Sequence, residues 1–560
     1  MIRGLLENEI KKSLAALGVE AETVNLEHPT DLTHGDYATN VALAYAKKTG
    51  QNPRDLALKI AEELSRQSHE YVEKVEIAGP GFINFFLSSK FFAKSVREIL
   101  EKGDKYGHSI HVSGSKTIVE YTDPNPFKEF HIGHLMSNTI GEAVSRIIEA
   151  GGAEVKRACY QGDVGAHVAM AVWGLLKEGG EPSVISVLAK AYAAGARAYK
   201  TDESAKAEIT EINKKIYDRS DERINQLYDQ GRKLSLDYFE TIYQRLGTKF
   251  DYYFFESIAG PFGAEVVKSN VGPVFTQSDG AVVFRGEDYG LHTRVFINSQ
   301  GLPTYEAKEL GLSKVKHDTY PYDLSIVVTG NEVNEYFKVL LKTMELVFPE
   351  LAAKTRHVSH GMLRLPTGKM SSRTGDVITA ESLLTEVEGL VRKKISDRDL
   401  PAQEKDEIAR AVSVGAIKYS ILKQAAGRDI IFDFEKSLSF EGDSGPYLQY
   451  AHTRTASILV KAREAGIGPK VPIETEKNEV IRLAYRFPEV IEEAGKDLSP
   501  HVIATYLIQL AAAFSGWYAE TKIVDPANPA SAERVALAAA VGQVLKNGLG
   551  LLGIAAPNKM

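Results

Sequence analysis

A chain of 560 residues exceeds what one ordinary core organises and implies roughly two to four domains. At 44% hydrophobic and 25% charged residues the composition is that of a soluble globular protein, and a single cysteine, Cys159, excludes an internal disulfide and a cysteine-rich zinc site. The formal charge of −7 speaks against a broad basic field, and residues 441–560 hold 12 Lys and Arg against 13 Asp and Glu, so any RNA partner must meet local patches and stacking groups.

The first block runs to about Gly107. Ile2, Leu5, Leu6, Ile10 and Leu14 recur at helical spacing, so Met1–Glu20 reads as an amphipathic helix rather than a signal peptide. No later segment reads as a bilayer span, which makes the cytoplasm the default compartment. Helical stretches around His34-Gly35-Asp36-Tyr37 are followed by a strand-like run, Gly79-Pro80-Gly81-Phe82-Ile83-Asn84-Phe85, and a connector at Gly103–Gly107. The second block opens with a predicted buried strand, Thr117–Tyr121, a Pro/Asn loop and a helix with Ile140, Val144, Ile147 and Ile148 on one face. Strand, loop and helix in that order begin a parallel α/β unit. Residues 182–247 are charged and helical in pattern and are expected to form an insertion on that core with a solvated face. Leu324–Val328 is a second buried strand, and from about Glu381 amphipathic helices dominate, one carrying the core stripe Ala504, Leu507, Ala511, Phe514 and Tyr518.

Chemistry concentrates at Pro124-Asn125-Pro126-Phe127-Lys128-Glu129-Phe130-His131-Ile132-Gly133-His134, between the buried strand and the helix. In an open α/β sheet the carboxyl end of a strand beside a helix start is where ligands bind. The helix N-terminus favours phosphate through its free N–H groups and dipole. His131 and His134 can both reach one ligand, and Gly133 is expected to let it approach the backbone; alone, they could equally be polar residues at a helix start. Gly368-Lys369-Met370-Ser371-Ser372-Arg373-Thr374-Gly375 suits a loop closing on polyphosphate, or an exposed turn. In this order and 238 residues apart, His131 and Lys369 are far stronger evidence for one nucleotide site than either alone.

The pair resembles the two signatures of class I aminoacyl-tRNA synthetases, and the surroundings narrow the resemblance to the arginyl-tRNA synthetase family. Val119-Glu120-Tyr121-Thr122-Asp123-Pro124-Asn125 is similar to that family's approach to its first signature. Gly79–Asn84 resembles the end of its N-terminal domain, Gly445–Arg454 the opening of its anticodon-binding domain, and Leu551–Met560 its ending. The resemblance runs nearly end to end and is weakest in the helical insertion. It implies an α/β fold with three parts: a small α+β domain over 1–107 that contacts the tRNA elbow, a Rossmann-like parallel-sheet catalytic domain over 108–380 with the insertion at about 182–247, and an all-α anticodon-binding domain over 381–560.

The resemblance also implies the reaction: arginine is activated on ATP and transferred to its tRNA, with tRNA required even for activation. A guanidinium asks for carboxylates and an aromatic face or hydroxyl. By resemblance Glu120 and Glu309 supply the carboxylates, Tyr305 the aromatic group and Asn125 a contact to the amino-acid end, although the family usually has aspartate where Glu309 stands. His131, Gly133, His134, Lys369, Met370, Ser371 and Ser372 are the expected ATP contacts, with the histidines as donors rather than bases. Mg²⁺ is expected to arrive with ATP, because no dedicated metal cage shows. Most class I enzymes carry a lysine where Ser372 stands, and Lys128, three residues before His131, is expected to supply the missing charge, with Arg373 secondary. Tyr447, Tyr450, His452 and Arg454 are the RNA candidates. A monomer is expected. A synthetase for cysteine would need thiolates the chain lacks, one for glutamate or glutamine would mismatch Glu120 and Glu309, and a silent RNA-binding paralogue would have lost the histidines or Lys369.

Overall fold

Leu6, Ile10 and Leu14 sink fully into the interior from α1 (Ile2–Ala16), whereas Leu5 stays exposed, so the apolar stripe is narrower than the spacing suggests. The computed structural model describes residues 2–66, 70–365 and 379–560. They fall into two units, Met1–Tyr106 with Arg454–Phe487 and Gln509–Leu545, and Gly107–Thr453 with Pro488–Ile508 and Lys546–Met560. In the first, β1 (Tyr37–Thr39), α2 (Val41–Thr49), α3 (Pro53–Ser65), β2 (Val72–Ala78), β3 (Phe82–Leu87) and α4 (Ser89–Lys102) follow α1, and the strands pair antiparallel in the order β1-β3-β2. A short 3-10 turn, Leu32–His34, leads through Gly35 and Asp36 into β1. Asp36 is buried and accepts the Leu87 N–H at 2.8 Å. Gly81 turns the β2–β3 hairpin at φ 139°, where a Cβ would lie 2.9 Å from the Pro53 carbonyl oxygen.

The second unit is built on five parallel strands. β4 (Lys116–Glu120) leads through a loop to α5 (Ile132–Ala150) and β5 (Glu154–Gln161). Four helices, α6 (Ala166–Glu178), α7 (Ile185–Thr201), α8 (Glu203–Asp218) and α9 (Glu222–Leu246), precede β6 (Tyr252–Phe255). After α10 (Glu256–Ser269) comes an antiparallel meander that the sequence reading missed, β7 (Thr276–Ser278), β8 (Ala281–Phe284) and β9 (Arg294–Ile297). Then follow α11 (Tyr305–Thr319), β10 (Leu324–Gly330), α12 (Asn334–Val347), α13 (Pro349–Ala353) and β11 (Thr355–His360). The sheet order is β11-β10-β4-β5-β6, every pair parallel. The chain works outward from β4 to β6 and then returns to β4's other side, so the strand order reverses between β4 and β10. At such a reversal the carboxyl ends of the strands open a crevice for a ligand.

Helices α6 and α7 close on one another through small residues. A Cβ on Gly174 would strike the Ala191 carbonyl, and one on Gly195 the Met170 carbonyl. Helix α9 is more than a solvated addition, because Phe239, Ile242, Tyr243 and Leu246 are buried and the Tyr243 hydroxyl lies 3.6 Å from the Cys159 sulfur on β5.

Beyond the sheet, β12 (Leu363–Arg364), α14 (Ala380–Lys394), α15 (Ala402–Leu422), β13 (Ile430–Ile431), α16 (Phe434–Ser437), α17 (Gly445–Glu464), α18 (Glu479–Ala484), α19 (Phe487–Lys496), α20 (Pro500–Glu520) and α21 (Ser531–Leu551) complete the chain, with β12 and β13 paired in parallel. Contrary to the sequence expectation, α20 is long and apolar enough to cross a bilayer, at a mean hydropathy of 1.3. Its Ala504, Leu507, Ala511 and Phe514 are instead buried within protein, while Tyr518 is partly exposed.

Candidate active site

The loop from β4 to α5 is held in an unusual backbone. Thr122, Asp123 and Phe127 have φ of 85°, 46° and 68°, conformations that cost of order 1–3 kcal/mol each for residues with side chains. Three neighbours hold it there. From α5, Ser137 Oγ accepts the Thr122 N–H at 3.1 Å while donating to the Val328 carbonyl at 2.7 Å, and Asn138 donates to Thr122 Oγ1 at 3.0 Å. From β5, the Tyr160 N–H donates to Asp123 at 2.7 Å. From α9, Ser235 Oγ accepts the Phe127 N–H at 2.9 Å, and Gly231 leaves room for the Phe127 ring.

The loop delivers His131 to the N-cap of α5. Its Nδ1 accepts the backbone N–H groups of Gly133 (3.1 Å) and His134 (3.4 Å), and His134 Nδ1 accepts the His131 N–H at 3.3 Å. This is a reciprocal capping box made from two histidines, with ring centroids 3.5 Å apart. Burial, and then the Lys128 charge, hold His131 below the usual histidine range; burial, His131 and Lys128 hold His134 well below it. Both rings are therefore neutral, and because each Nδ1 accepts, each Nε2 carries the proton. Gly133, expected to let a ligand approach the backbone, also meets a local demand of the cap. A Cβ on it would lie 2.9 Å from Cε1 and 3.0 Å from Nδ1 of His131, so the glycine makes room for the capping ring.

Lys128 is half-buried, with its ammonium 4.6 Å from the centre of the Tyr192 ring on α7. Its field reaches His131, His134, His167 and Glu256. Lys369, Met370, Ser371, Ser372 and Arg373 lie outside the described residues. The chain beyond that segment re-enters beside the first signature: Thr379 bridges to His131, and the Ala380 N–H donates to the Phe130 carbonyl at 2.8 Å.

The neighbouring strand ends gather acids. Glu120, the last residue of β4, is buried and accepts from Lys316 Nζ at 2.6 Å. Glu309 is pushed well above the carboxylate range by burial and then by the Glu120 charge, and Asp123 likewise. Glu256, which opens α10 directly after β6, pairs with Lys308 at 2.5 Å. Asn125 Oδ1 packs against Gly162, where a Cβ would not fit. Tyr305 begins α11 at the rim, 59% exposed, with Lys308 Nζ 5.3 Å from its ring centre. The structure thus brings Glu120 and Glu309 together and leaves Tyr305 beside the Glu256–Lys308 pair. Among the described residues the Tyr160 hydroxyl and Gln161 Oε1 are buried there without a hydrogen-bond partner. Lys316, Lys308 and Glu256 escaped the sequence reading. One signal was available: Glu309 and Lys316 are seven residues apart, on one face of α11.

Of the RNA candidates, Tyr447 and Tyr450 are half-buried, with Tyr450 edge-on to Phe440 at 6.3 Å. The guanidinium of Arg454 lies 4.8 Å over the Tyr518 ring. His452 is a correction: it is buried, and Nδ1 bonds the Pro557 carbonyl at 3.0 Å, so its ring ties down the chain end and offers no face for a base.

A parallel sheet whose order reverses at a helix start bearing His-x-Gly-His is the catalytic core of a class I aminoacyl-tRNA synthetase. Residues 95–434 match the model of class I (R) tRNA synthetase catalytic domains, 448–560 the DALR anticodon-binding domain, and 4–87 the arginyl-tRNA synthetase N-terminal domain. Arginine–tRNA ligases of Fusobacterium nucleatum (33% identical; 97% of this chain, 96% of that protein) and Streptococcus mutans (33%; 98% and 99%) are similar throughout. The arginyl-tRNA synthetase of Thermus thermophilus superposes with a TM-score of 0.81 at 25% identity, covering 100% of both chains. The chain belongs to the arginyl-tRNA synthetase family.

Proposed function

We propose that the chain is an arginine–tRNA ligase. It activates L-arginine with ATP to arginyl-adenylate, releasing pyrophosphate, and transfers the arginyl group to the 3′ end of its tRNA, releasing AMP. The observation that carries this reading is a neutral two-histidine helix start beside a cluster of carboxylates on the adjoining strand end.

The arginine carboxylate attacks the α-phosphorus in line, and the bond to the pyrophosphate oxygen breaks. Charge grows on the phosphate oxygens, so catalysis needs positioned donors. His131 and His134 present Nε2–H groups at the positive end of α5 and act as donors, not as bases. Lys128 adds fixed charge, Gly133 keeps the cap compact, and Lys369 with Met370, Ser371 and Ser372 holds the leaving pyrophosphate. Mg²⁺ comes with ATP. Glu120 and Glu309 take the guanidinium, Tyr305 closes over it, and Asn125 holds the amino-acid end. Burial and the Glu120 charge hold the Glu309 carboxyl well above its usual range, and an arriving guanidinium offsets both. The tRNA terminal hydroxyl then attacks the arginyl carbonyl and AMP leaves.

Residues 1–107 contact the tRNA elbow, 108–380 perform the chemistry and 381–560 read the anticodon, with Tyr447, Tyr450 and Arg454 as the contacts there. The enzyme works as a cytoplasmic monomer. Pyrophosphate exchange measured with each amino acid, with and without tRNA, tests the reading. Exchange should require arginine and be stimulated by tRNA; equal exchange with another amino acid, or none with any, overturns it.

A further inference from the structure

Lys316 stands inside the arginine pocket, where nothing in the reaction described so far employs it. It is 3% exposed, and its ammonium donates to Glu120 Oε2 at 2.6 Å and to Ser325 Oγ at 3.3 Å. Ser325 lies on β10, the strand paired with β4, so the lysine spans from α11 to the strand pair that ends at the crevice. Among the described residues Glu120 Oε1 takes no hydrogen bond, which leaves it for a ligand.

Charge arithmetic shows why a resident cation belongs there. Glu120, Asp123 and Glu309 are three acids in one another's field, and an incoming guanidinium brings one positive charge. Buried carboxylates without compensation take up protons, and a protonated acid gives up the charge-assisted part of its bond to a guanidinium. Burial alone would drive Lys316 toward neutrality, but the charge and hydrogen bond of Glu120, with Tyr322 and Glu309, together outweigh it and favour the charged ammonium. Among the described residues Lys316 is the cation that ion-pairs with Glu120, while Asp123 and Glu309 add negative charge beside it.

We propose that Lys316 is a positioning residue for arginine selection: it fixes Glu120 through Oε2 as a charged acceptor and leaves Oε1 to the guanidinium. This rests on the reading that Glu120 contacts arginine.

The test is arginine-dependent pyrophosphate exchange by the full-length enzyme with tRNA present. Lys316→Met should raise the arginine KM by about twentyfold at pH 7, leaving kcat within about threefold and the ATP KM within about twofold. Simple damage to packing would instead lower kcat and raise the ATP KM together with the arginine KM. Lys316→Arg, which keeps the charge, should restore most of the affinity. Ser325→Ala loosens the lysine without stranding a charge and should raise the arginine KM about threefold; it decides the matter if Lys316→Met does not fold. Glu120→Gln separates the two readings. If it raises the arginine KM while Lys316→Met and Ser325→Ala leave it unchanged, the role of Lys316 is overturned. If Glu120→Gln also leaves it unchanged, the pocket reading falls as well.

Discussion

The two ends of α5 hold polar groups in opposite ways. Toward its C-terminal half, Glu142 is buried and saturated: it accepts from the Tyr121 hydroxyl at 2.6 Å, Arg146 at 2.7 Å and Arg157 at 3.2 Å. Arg146 reaches on to the Gly550 carbonyl at 3.0 Å, and the buried Lys418 donates to the carbonyls of Leu246 at 2.8 Å and Gly553 at 2.9 Å. The Glu142 carboxylate is there fully engaged by protein donors. At the N-terminal end the two histidine Nδ1 atoms are used up in capping, while their Nε2–H groups make no hydrogen bond among the described residues. Nearby, the Tyr160 hydroxyl and Gln161 Oε1 are buried without hydrogen-bond partners among the described residues. A buried polar group left open costs roughly 1–3 kcal/mol, a cost native folds usually avoid unless a ligand completes the set. Unspent capacity, more than burial or charge, distinguishes the working end of the helix from the structural end.

Breaking the saturated end should have the largest energetic effect. Glu142→Ala leaves Arg146 and Arg157 facing a buried gap and should lower stability by about 3–5 kcal/mol in denaturant unfolding. Exchange activity per folded molecule, measured well below the melting temperature, should stay within about threefold. At the open end the pattern should invert. Lys128→Ala should cut arginine-dependent exchange about a hundredfold while shifting the melting temperature little, since the ammonium sits over Tyr192 and forms no ion pair among the described residues. Adding Ser372→Lys should recover part of the loss. Near-normal exchange by Lys128→Ala would remove that residue from the phosphates.

The open end was readable in the sequence because its parts are local. His131, Gly133, His134 and Lys128 occupy seven consecutive positions between a strand and a helix, and each type has a reason to be there. Their partners were not readable. Lys316 meets Glu120 across 196 residues, and Lys308 meets Glu256 across 52, pairings that exist only once the parallel crossovers are laid down. The β7–β9 meander escaped for another reason: its strands are three or four residues long, too short for alternation to register. Helix α9 was visible as a helix, yet nothing local shows that Ser235 would hold the Phe127 backbone. His452 looked like a base-stacking residue because its partner, the Pro557 carbonyl, lies 105 residues away.

A third expected effect depends on pH. His167 is buried at the start of α6 and bonds the Gly162 carbonyl at 2.8 Å. Burial, then the Lys128 charge, holds it down at about 3. Its folded value is depressed, so its contribution is complete above the ordinary histidine value near 6.5 and is lost as pH falls toward about 3. Through that window the unfolded chain binds the extra proton, and His167 alone should lower stability by up to about 1.4 kcal/mol per pH unit. His167→Gln should flatten the acid limb between pH 6 and pH 4 in unfolding titrations; an unchanged slope would assign the loss to other groups. His131 and His134 are also held low, so exchange should persist somewhat below the ordinary histidine value before the rings charge.

The smallest expected change in stability is the most discriminating. In Gly133→Ala the new Cβ would lie 2.9 Å from Cε1 and 3.0 Å from Nδ1 of His131, closer than such contacts occur, so the ring must move by a few tenths of an ångström. That shift loosens the bonds from the Gly133 and His134 N–H groups, at 3.1 and 3.4 Å. Against it, alanine in the first turn of a helix is favoured over glycine by roughly 0.5–1 kcal/mol, because the unfolded chain loses freedom. The two effects are similar in size, so the melting temperature should move by no more than a few degrees in either direction. The catalytic effect has no such compensation. Displacing Nε2–H from the developing phosphate charge should lower exchange about tenfold, with the arginine KM unchanged. A variant that lost activity only in proportion to its folded fraction would show that the glycine serves the helix alone.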